Sequence, residues 1–106
     1  MSDPTLLVLS SLAEGDKHGY AIMRDVEKFS GLRLGPGTLY GAIMRLEERG
    51  WVARIETTHR RQPYRITETG RAHLTSLLTG LDRVVSTGLS RIRPPYQAVP
   101  QAGAAA

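Results

Sequence analysis

Residues 35–52 read Gly35-Pro36-Gly37-Thr38-Leu39-Tyr40-Gly41-Ala42-Ile43-Met44-Arg45-Leu46-Glu47-Glu48-Arg49-Gly50-Trp51-Val52. Pro36 suits the first position of a helix, where a missing N–H costs nothing, and Gly35 is an acceptable cap before it. Set at about 100° per residue, Leu39, Ala42, Ile43 and Leu46 share one face. Gly37, Gly41, Met44 and Glu48 lie opposite, flanked by Thr38, Tyr40 and Arg45. Gly50 ends the helix. After it the period changes from helical to two: Trp51, Ala53 and Ile55 alternate with Val52, Arg54 and Glu56, with Val52 breaking the polar side. A helix with an apolar back and a small, polar front, followed at once by a strand, is the pattern on which the rest of the reading turns.

Upstream of it, two more helices are predicted. Asp3 caps the first, with Pro4 at its first position, and Leu6, Leu7, Val8, Leu9 and Leu12 make it mostly buried before Gly15 ends it. The second starts near His18, has Tyr20, Ile22, Met23, Val26 and Phe29 on its apolar side, and stops at Gly31. Downstream, Thr57 to Pro63 is polar and turn-like, and Tyr64 and Ile66 alternate with Arg65 as the return strand of a hairpin. Thr67 caps a fourth helix in which Leu74, Leu77, Leu78, Leu81, Val84, Val85, Leu89 and Ile92 recur every three or four residues. A helix over 68–92 is about 37 Å long, more than the small body can cover. Gly80 and Gly88 weaken it by about 1 kcal/mol each relative to alanine. From Arg93 the composition shifts to Pro, Gln, Gly and Ala. The expected architecture is mainly α with a small β-hairpin. It comprises a winged helix-turn-helix domain at 3–67, a long C-terminal dimerisation helix at 68–92 and a flexible tail at 93–106.

Bulk composition narrows the function. The chain has 106 residues, a formal net charge of +4 and no cysteine. One domain is the expectation, and a chain this small often gains stability by pairing with its own copy. The basic balance favours a polyanionic partner. Without cysteine there is no disulfide framework, zinc knuckle or thiolate catalysis. His18, His59 and His73 are scattered without ligand spacing, so no metal or other cofactor is expected. Ser10, Ser11 and Asp3 suggest no catalytic triad, and no phosphate-binding glycine motif follows Gly35-Pro36-Gly37, so the chain reads as no enzyme. No apolar run approaches a membrane span, and Met1-Ser2-Asp3-Pro4 lacks signal-peptide character, so a cytoplasmic protein with no membrane partner is expected.

A duplex major groove admits one helix, whose N-terminal half reaches base edges. The third helix suits that task. Thr38 and Tyr40 offer hydroxyls, Arg45 reaches a phosphate or guanine edge, and the free amides at the helix start suit a phosphate. Tyr40 has an alternative role, packing against the first helix. Gly37 and Gly41 serve either close backbone approach or turn and cap chemistry. At the hairpin tip His59, Arg60 and Arg61 are placed to straddle a backbone or enter a minor groove, with Arg54 and Arg65 adding charge along the ribbon. The stripe Leu74, Leu77, Leu78, Leu81, Val84, Val85 and Leu89 needs a partner. Self-pairing as a homodimer buries it and sets two reading helices about one DNA turn apart. The expected function is sequence-specific binding to double-stranded DNA at an inverted-repeat operator. A protein-interaction module and a small-molecule-sensing dimer are the alternatives.

Three stretches resemble the PadR-like transcriptional regulators: His18-Gly19-Tyr20-Ala21-Ile22, residues 35–52, and Arg61-Gln62-Pro63-Tyr64-Arg65-Ile66-Thr67-Glu68-Thr69-Gly70. The likeness runs from about Leu6 to Leu89. It implies a dimeric repressor, relieved by a small molecule or another signal, in which Thr38, Tyr40 and the wing arginines contact DNA. The family commonly has serine where Gly35 stands and proline where Gly41 stands. Some members hold flat drugs between tryptophans of the last helix; here the only tryptophan, Trp51, precedes the hairpin, and such a pocket is not carried over.

Overall fold

A computed structural model describes residues 3–92; the tail expected at 93–106 lies outside the described residues. The elements are α1 (Pro4–Leu12), β1 (Lys17–His18), α2 (Gly19–Ser30), α3 (Pro36–Glu48), β2 (Val52–Arg54), β3 (Pro63–Ile66) and α4 (Glu68–Ile92). Helices α1 and α2 start at side-chain caps. Asp3 Oδ1 accepts from the Thr5 amide at 3.0 Å, and Pro4 occupies the first turn of α1. His18 Nδ1 accepts from the Ala21 amide at 3.3 Å at the start of α2. Gly31 ends α2 at φ 79°, and Gly50 turns the chain after α3 at φ 77°, both left-handed conformations that cost glycine little.

Leu7, Val8, Leu9 and Leu12 of α1, Ile22 and Val26 of α2, and Leu39, Ala42, Ile43 and Leu46 of α3 form one core, joined by Leu34, Val52, Tyr64, Ile66 and Leu74. The apolar back expected for α3 is therefore buried as a set. A polar cluster links α1 to the middle of α2. Ser11, 1% exposed, donates its hydroxyl to Asp25 Oδ2 at 2.7 Å. Lys17 donates to the Ser11 carbonyl and pairs with Glu14 at 2.9 Å and with Asp25 at 3.8 Å. Among the described residues no buried side-chain nitrogen or oxygen lacks a partner, as the low interior dielectric demands.

The sheet has three strands rather than the expected two, in the order β1-β3-β2, all antiparallel. Lys17 pairs with Tyr64 and His18 with Pro63 on one side, while Val52, Ala53 and Arg54 pair with Ile66, Arg65 and Tyr64 on the other. The phase of β2 also differs from the alternation read in the sequence. Val52 is the buried residue, Ala53 is exposed, and Trp51 and Ile55 are half-buried. Val52 faces the core because its ladder partner is Ile66, itself buried.

Thr67 joins the sheet to α4. Its hydroxyl donates to the Gly50 carbonyl at 2.7 Å and accepts from the Gly70 amide at 3.0 Å. Trp51 stacks on His73 with ring centroids 3.7 Å apart, and the Arg49 guanidinium lies 5.2 Å from the Trp51 ring. Gly70 presses on the Trp51 backbone so closely that any side chain there would collide with the Trp51 carbonyl. The chain divides into two compact units, one up to Leu74 and one from Thr75. Leu74, 4% exposed, belongs with the first. In the second, Leu78, Val84, Val85, Leu89 and Ile92 are exposed, and Leu77 and Leu81 are half-buried.

Two glycines of α4 therefore respond oppositely to alanine. Gly80 has nothing within 4 Å of an added Cβ, so Gly80→Ala should stabilise the protein by up to about 1 kcal/mol. Gly70→Ala should destabilise by about 1–3 kcal/mol, because backbone must move. Thermal unfolding of the two variants checks this, and an unchanged or higher midpoint for Gly70→Ala contradicts the contact.

Candidate nucleic-acid interface

Burial of Leu39, Ala42, Ile43 and Leu46 fixes the rotation of α3 about its axis, and so decides which residues face outward. Those are Gly37, Thr38, Tyr40, Met44, Arg45 and Glu48, with Gly41 half-buried beside them. The start of α3 has no side-chain cap, so the amides of Gly37 and Thr38 receive no side-chain acceptor. Neither Gly37 nor Gly41 has positive φ, so turn conformation does not explain either one. Nothing lies within 4 Å of a Cβ added at Gly37, so packing within the chain does not explain it either. At Gly41 an added Cβ would sit 3.7 Å from Arg45 Nη1: the guanidinium folds back over this small residue toward the first half of the helix.

Tyr40 is 46% exposed, and its hydroxyl end lies directly against Gly19. The ring thus packs on the start of α2. The ring covers a backbone where an added side chain would have to displace it. Gly19 follows His18, and His18 Nε2 lies 3.3 Å from Arg61 Nη1 in the loop between β2 and β3. Tyr40, Gly19, His18 and Arg61 therefore connect the front of α3 to the wing without a break.

The wing is braced at its base. Gln62 Nε2 donates to the carbonyls of Ile55 and Pro63, both at 2.8 Å, and the Ile55 amide donates to the Pro63 carbonyl at 3.1 Å. Thr57 Oγ1 accepts from the His59 amide at 3.0 Å, folding the tip. Thr58, His59, Arg60 and Arg61 are exposed, and neither arginine has a carboxylate within ion-pair distance among the described residues.

The ribbon arginines differ. Arg54 Nε donates to Glu47 Oε2 at 2.8 Å, which ties β2 to α3 and holds the guanidinium pKa above its ordinary value. Arg65 donates to both carboxylate oxygens of Asp16, at 3.3 and 3.0 Å, with the same effect on its pKa. Of the residues singled out in the sequence, Thr38, Tyr40, Arg45, His59, Arg60 and Arg61 lie exposed on α3 or the wing, whereas Arg65 is engaged within the chain. His18, Gly19 and Gln62 were not among them. Among the described residues no group of histidines and carboxylates is arranged to hold a metal, and no helix is long and apolar enough to cross a membrane.

Comparison with known proteins bears on this surface. Residues 8–76 match the model of the transcriptional regulator PadR-like family. An uncharacterized 37.1 kDa protein in transposon TN4556 of Streptomyces fradiae is 45% identical over 85 residues, covering 74% of this chain and 25% of that protein. The chain thus spans about a quarter of that relative's length. A transcriptional regulator from Clostridium thermocellum, Cth-833, superposes with a TM-score of 0.72 at 26% identity, covering 85% of this chain and 89% of that one. A PadR family transcriptional regulator from Eggerthella lenta DSM 2243 does so with a TM-score of 0.70 at 28% identity, covering 83% and 79%.

The Tyr40–Gly19 contact is testable without a ligand. Gly19→Ala should swing the Tyr40 ring away, seen as loss of nuclear Overhauser contacts between its ring protons and residue 19. Absence of those contacts in the unsubstituted protein would show that the ring does not rest there.

Proposed function

Because the chain belongs to the PadR-like family of transcriptional regulators, which are not enzymes, we propose that it binds duplex DNA as a cytoplasmic homodimer and represses from an inverted-repeat operator. The observation that carries this reading is the continuous surface from the open start of α3, through Tyr40 and His18, to the wing arginines, which have no carboxylate partner among the described residues. Thr38 and Tyr40 face base edges from the first turns of α3, and Arg45, in the last turn with its guanidinium folded back over Gly41, reaches a base edge or a phosphate. Arg60 and Arg61 neutralise phosphates or enter the flanking minor groove, and the bare amides of Gly37 and Thr38 take a further phosphate. Gly37 leaves room for the helix backbone to approach the duplex.

The winged-helix unit reads one half-site. The stripe from Leu77 to Leu89, exposed at Leu78, Val84, Val85 and Leu89, joins two copies, and a two-fold pair suits a palindromic site with half-sites one helical turn apart. Phosphate contacts supply most of the affinity, so binding weakens steeply with salt.

Replacing both Arg60 and Arg61 with alanine should weaken binding to every duplex. It should also make the slope of log affinity against log salt shallower by about 1.8. A gel-shift or anisotropy titration measures both, and an unaltered slope removes the wing from the contact. Val85, 54% exposed, can become aspartate without disturbing the core. Val85→Asp should yield monomers with poor affinity for a two-half-site duplex, and a light-scattering mass still equal to a dimer would place the interface elsewhere.

A further inference from the structure

Two hydrogen-bond donors compete for His18. Its Nδ1 lies 3.3 Å from the Ala21 amide, and its Nε2 lies 3.3 Å from Arg61 Nη1. A neutral imidazole has one lone pair for accepting and one N–H for donating, and a protonated ring has no lone pair at all. We assign the lone pair to Nδ1, which caps the Ala21 amide at the start of α2, and hence the proton to Nε2. Nε2–H and the Arg61 guanidinium are then two donors side by side, with no acceptor between them. The contact is exposed, so the two donors are open to an acceptor from outside the chain. The pair closes one end of a recess of about 690 Å³ lined also by Thr57, Thr58, His59 and Arg60. Every charged group lining that recess is cationic.

The geometry points to His18 and Arg61 as a two-pronged clamp for one anionic oxygen, which, resting on the DNA-binding reading above, is a backbone phosphate of the duplex. The oxygen receives Nε2–H from His18 and an N–H from Arg61, and so resolves the donor conflict. The two prongs do different work. Arg61 brings charge and displaces a counterion. His18 brings a neutral donor, sets where the phosphate sits, and keeps its Nδ1 on the cap of α2. The strand pairing of His18 with Pro63 holds the ring beside the wing, so the clamp sits where β1 meets the loop. The same ring thereby couples phosphate capture at the wing to the start of α2, on which Tyr40 rests.

His18→Ser separates these roles, because serine retains a cap for α2 but removes the Nε2–H donor. In the full chain, anisotropy titrations with duplexes carrying an inverted repeat and with random duplexes should both show affinity reduced about tenfold, with an unchanged salt slope. Arg61→Ala should instead make the slope shallower by about 0.9. The double variant should lose less than the product of the two, since both prongs serve one oxygen. Nitrogen-15 spectra of the histidine rings should show His18 protonated on Nε2, with that nitrogen shifting when duplex is added and little when inorganic phosphate is added at the same phosphate concentration. Wild-type affinity in His18→Ser, strictly multiplicative losses, or a bound ring protonated on Nδ1 overturns the clamp while leaving DNA binding intact. A response to inorganic phosphate equal to that with duplex assigns the clamp to a free anion and overturns the phosphodiester assignment. A wild-type protein that ignores every duplex at low salt overturns the DNA reading itself, and this assignment with it.

Discussion

The exposed face of α3 is determined by what the other face buries. Leu39 and Ala42 are fully enclosed and Ile43 and Leu46 nearly so, in contact with side chains from α1 and α2. Rotating α3 by one residue would bring Tyr40 and Glu47 toward that core and expose leucines, at a cost of several kcal/mol in lost burial. The helix therefore has one azimuth, and Thr38, Tyr40 and Arg45 share the solvent side as a consequence. The same constraint reaches the wing. Glu47, on the last turn of α3, holds Arg54 of β2, and β2 is registered on β3 by the burial of Val52 and Ile66. A hairpin that would be marginal alone is thus oriented by a helix packed on the core.

The helices were legible because their signals are local. Asp3-Pro4, Gly31, Gly35-Pro36 and Gly50 act through caps and backbone conformation, and the apolar spacing of α3 named its buried residues correctly. What the sequence hid depends on partners distant along the chain. β1 is two residues long, and Lys17-His18 carries no strand pattern; it exists because Tyr64 and Pro63 arrive beside it. The phase of β2 was misread because Trp51 and Ile55 look like core residues. Trp51 instead stacks on His73 at the start of α4, a contact that no alternation within β2 can reveal. Leu74 looked like the first residue of an intermolecular stripe but is taken up by its own unit. In the candidate site, Tyr40 and the wing arginines could be named from residue type and position. His18, Gly19 and Gln62 could not, because a cap, a close approach and a loop brace are defined by neighbours that only the fold supplies.

Charge illustrates the same difference between composition and placement. A net charge of +4 says little about where a polyanion would bind. The fold sorts the cations. Lys17, Arg33, Arg54 and Arg65 are in ion pairs, and Arg24 and Arg49 lie over the rings of Tyr20 and Trp51. Arg60 and Arg61 stand at the wing tip without an acidic partner among the described residues. The Arg65–Asp16 pair is exposed, with side-chain exposures of 60% and 41%, and such pairs contribute little to stability. Exchanging Asp16 for a phosphate would therefore cost little, so engagement within the free chain orients Arg65 and does not remove it from a DNA complex.

The same comparison of magnitudes applies to the second unit. From Thr75 to Ile92 the helix carries Gly80 and Gly88 and six serines and threonines, all weak helix formers in isolation. Eighteen residues of that composition are marginal as a free helix in water, since short helices are held mainly by burial of an apolar face. Leu78, Val84, Val85, Leu89 and Ile92 make such a face, yet a single chain leaves all five exposed. On the proposed dimer, formation of this helix and pairing of the two copies become one event, because each copy supplies the burial that the other lacks.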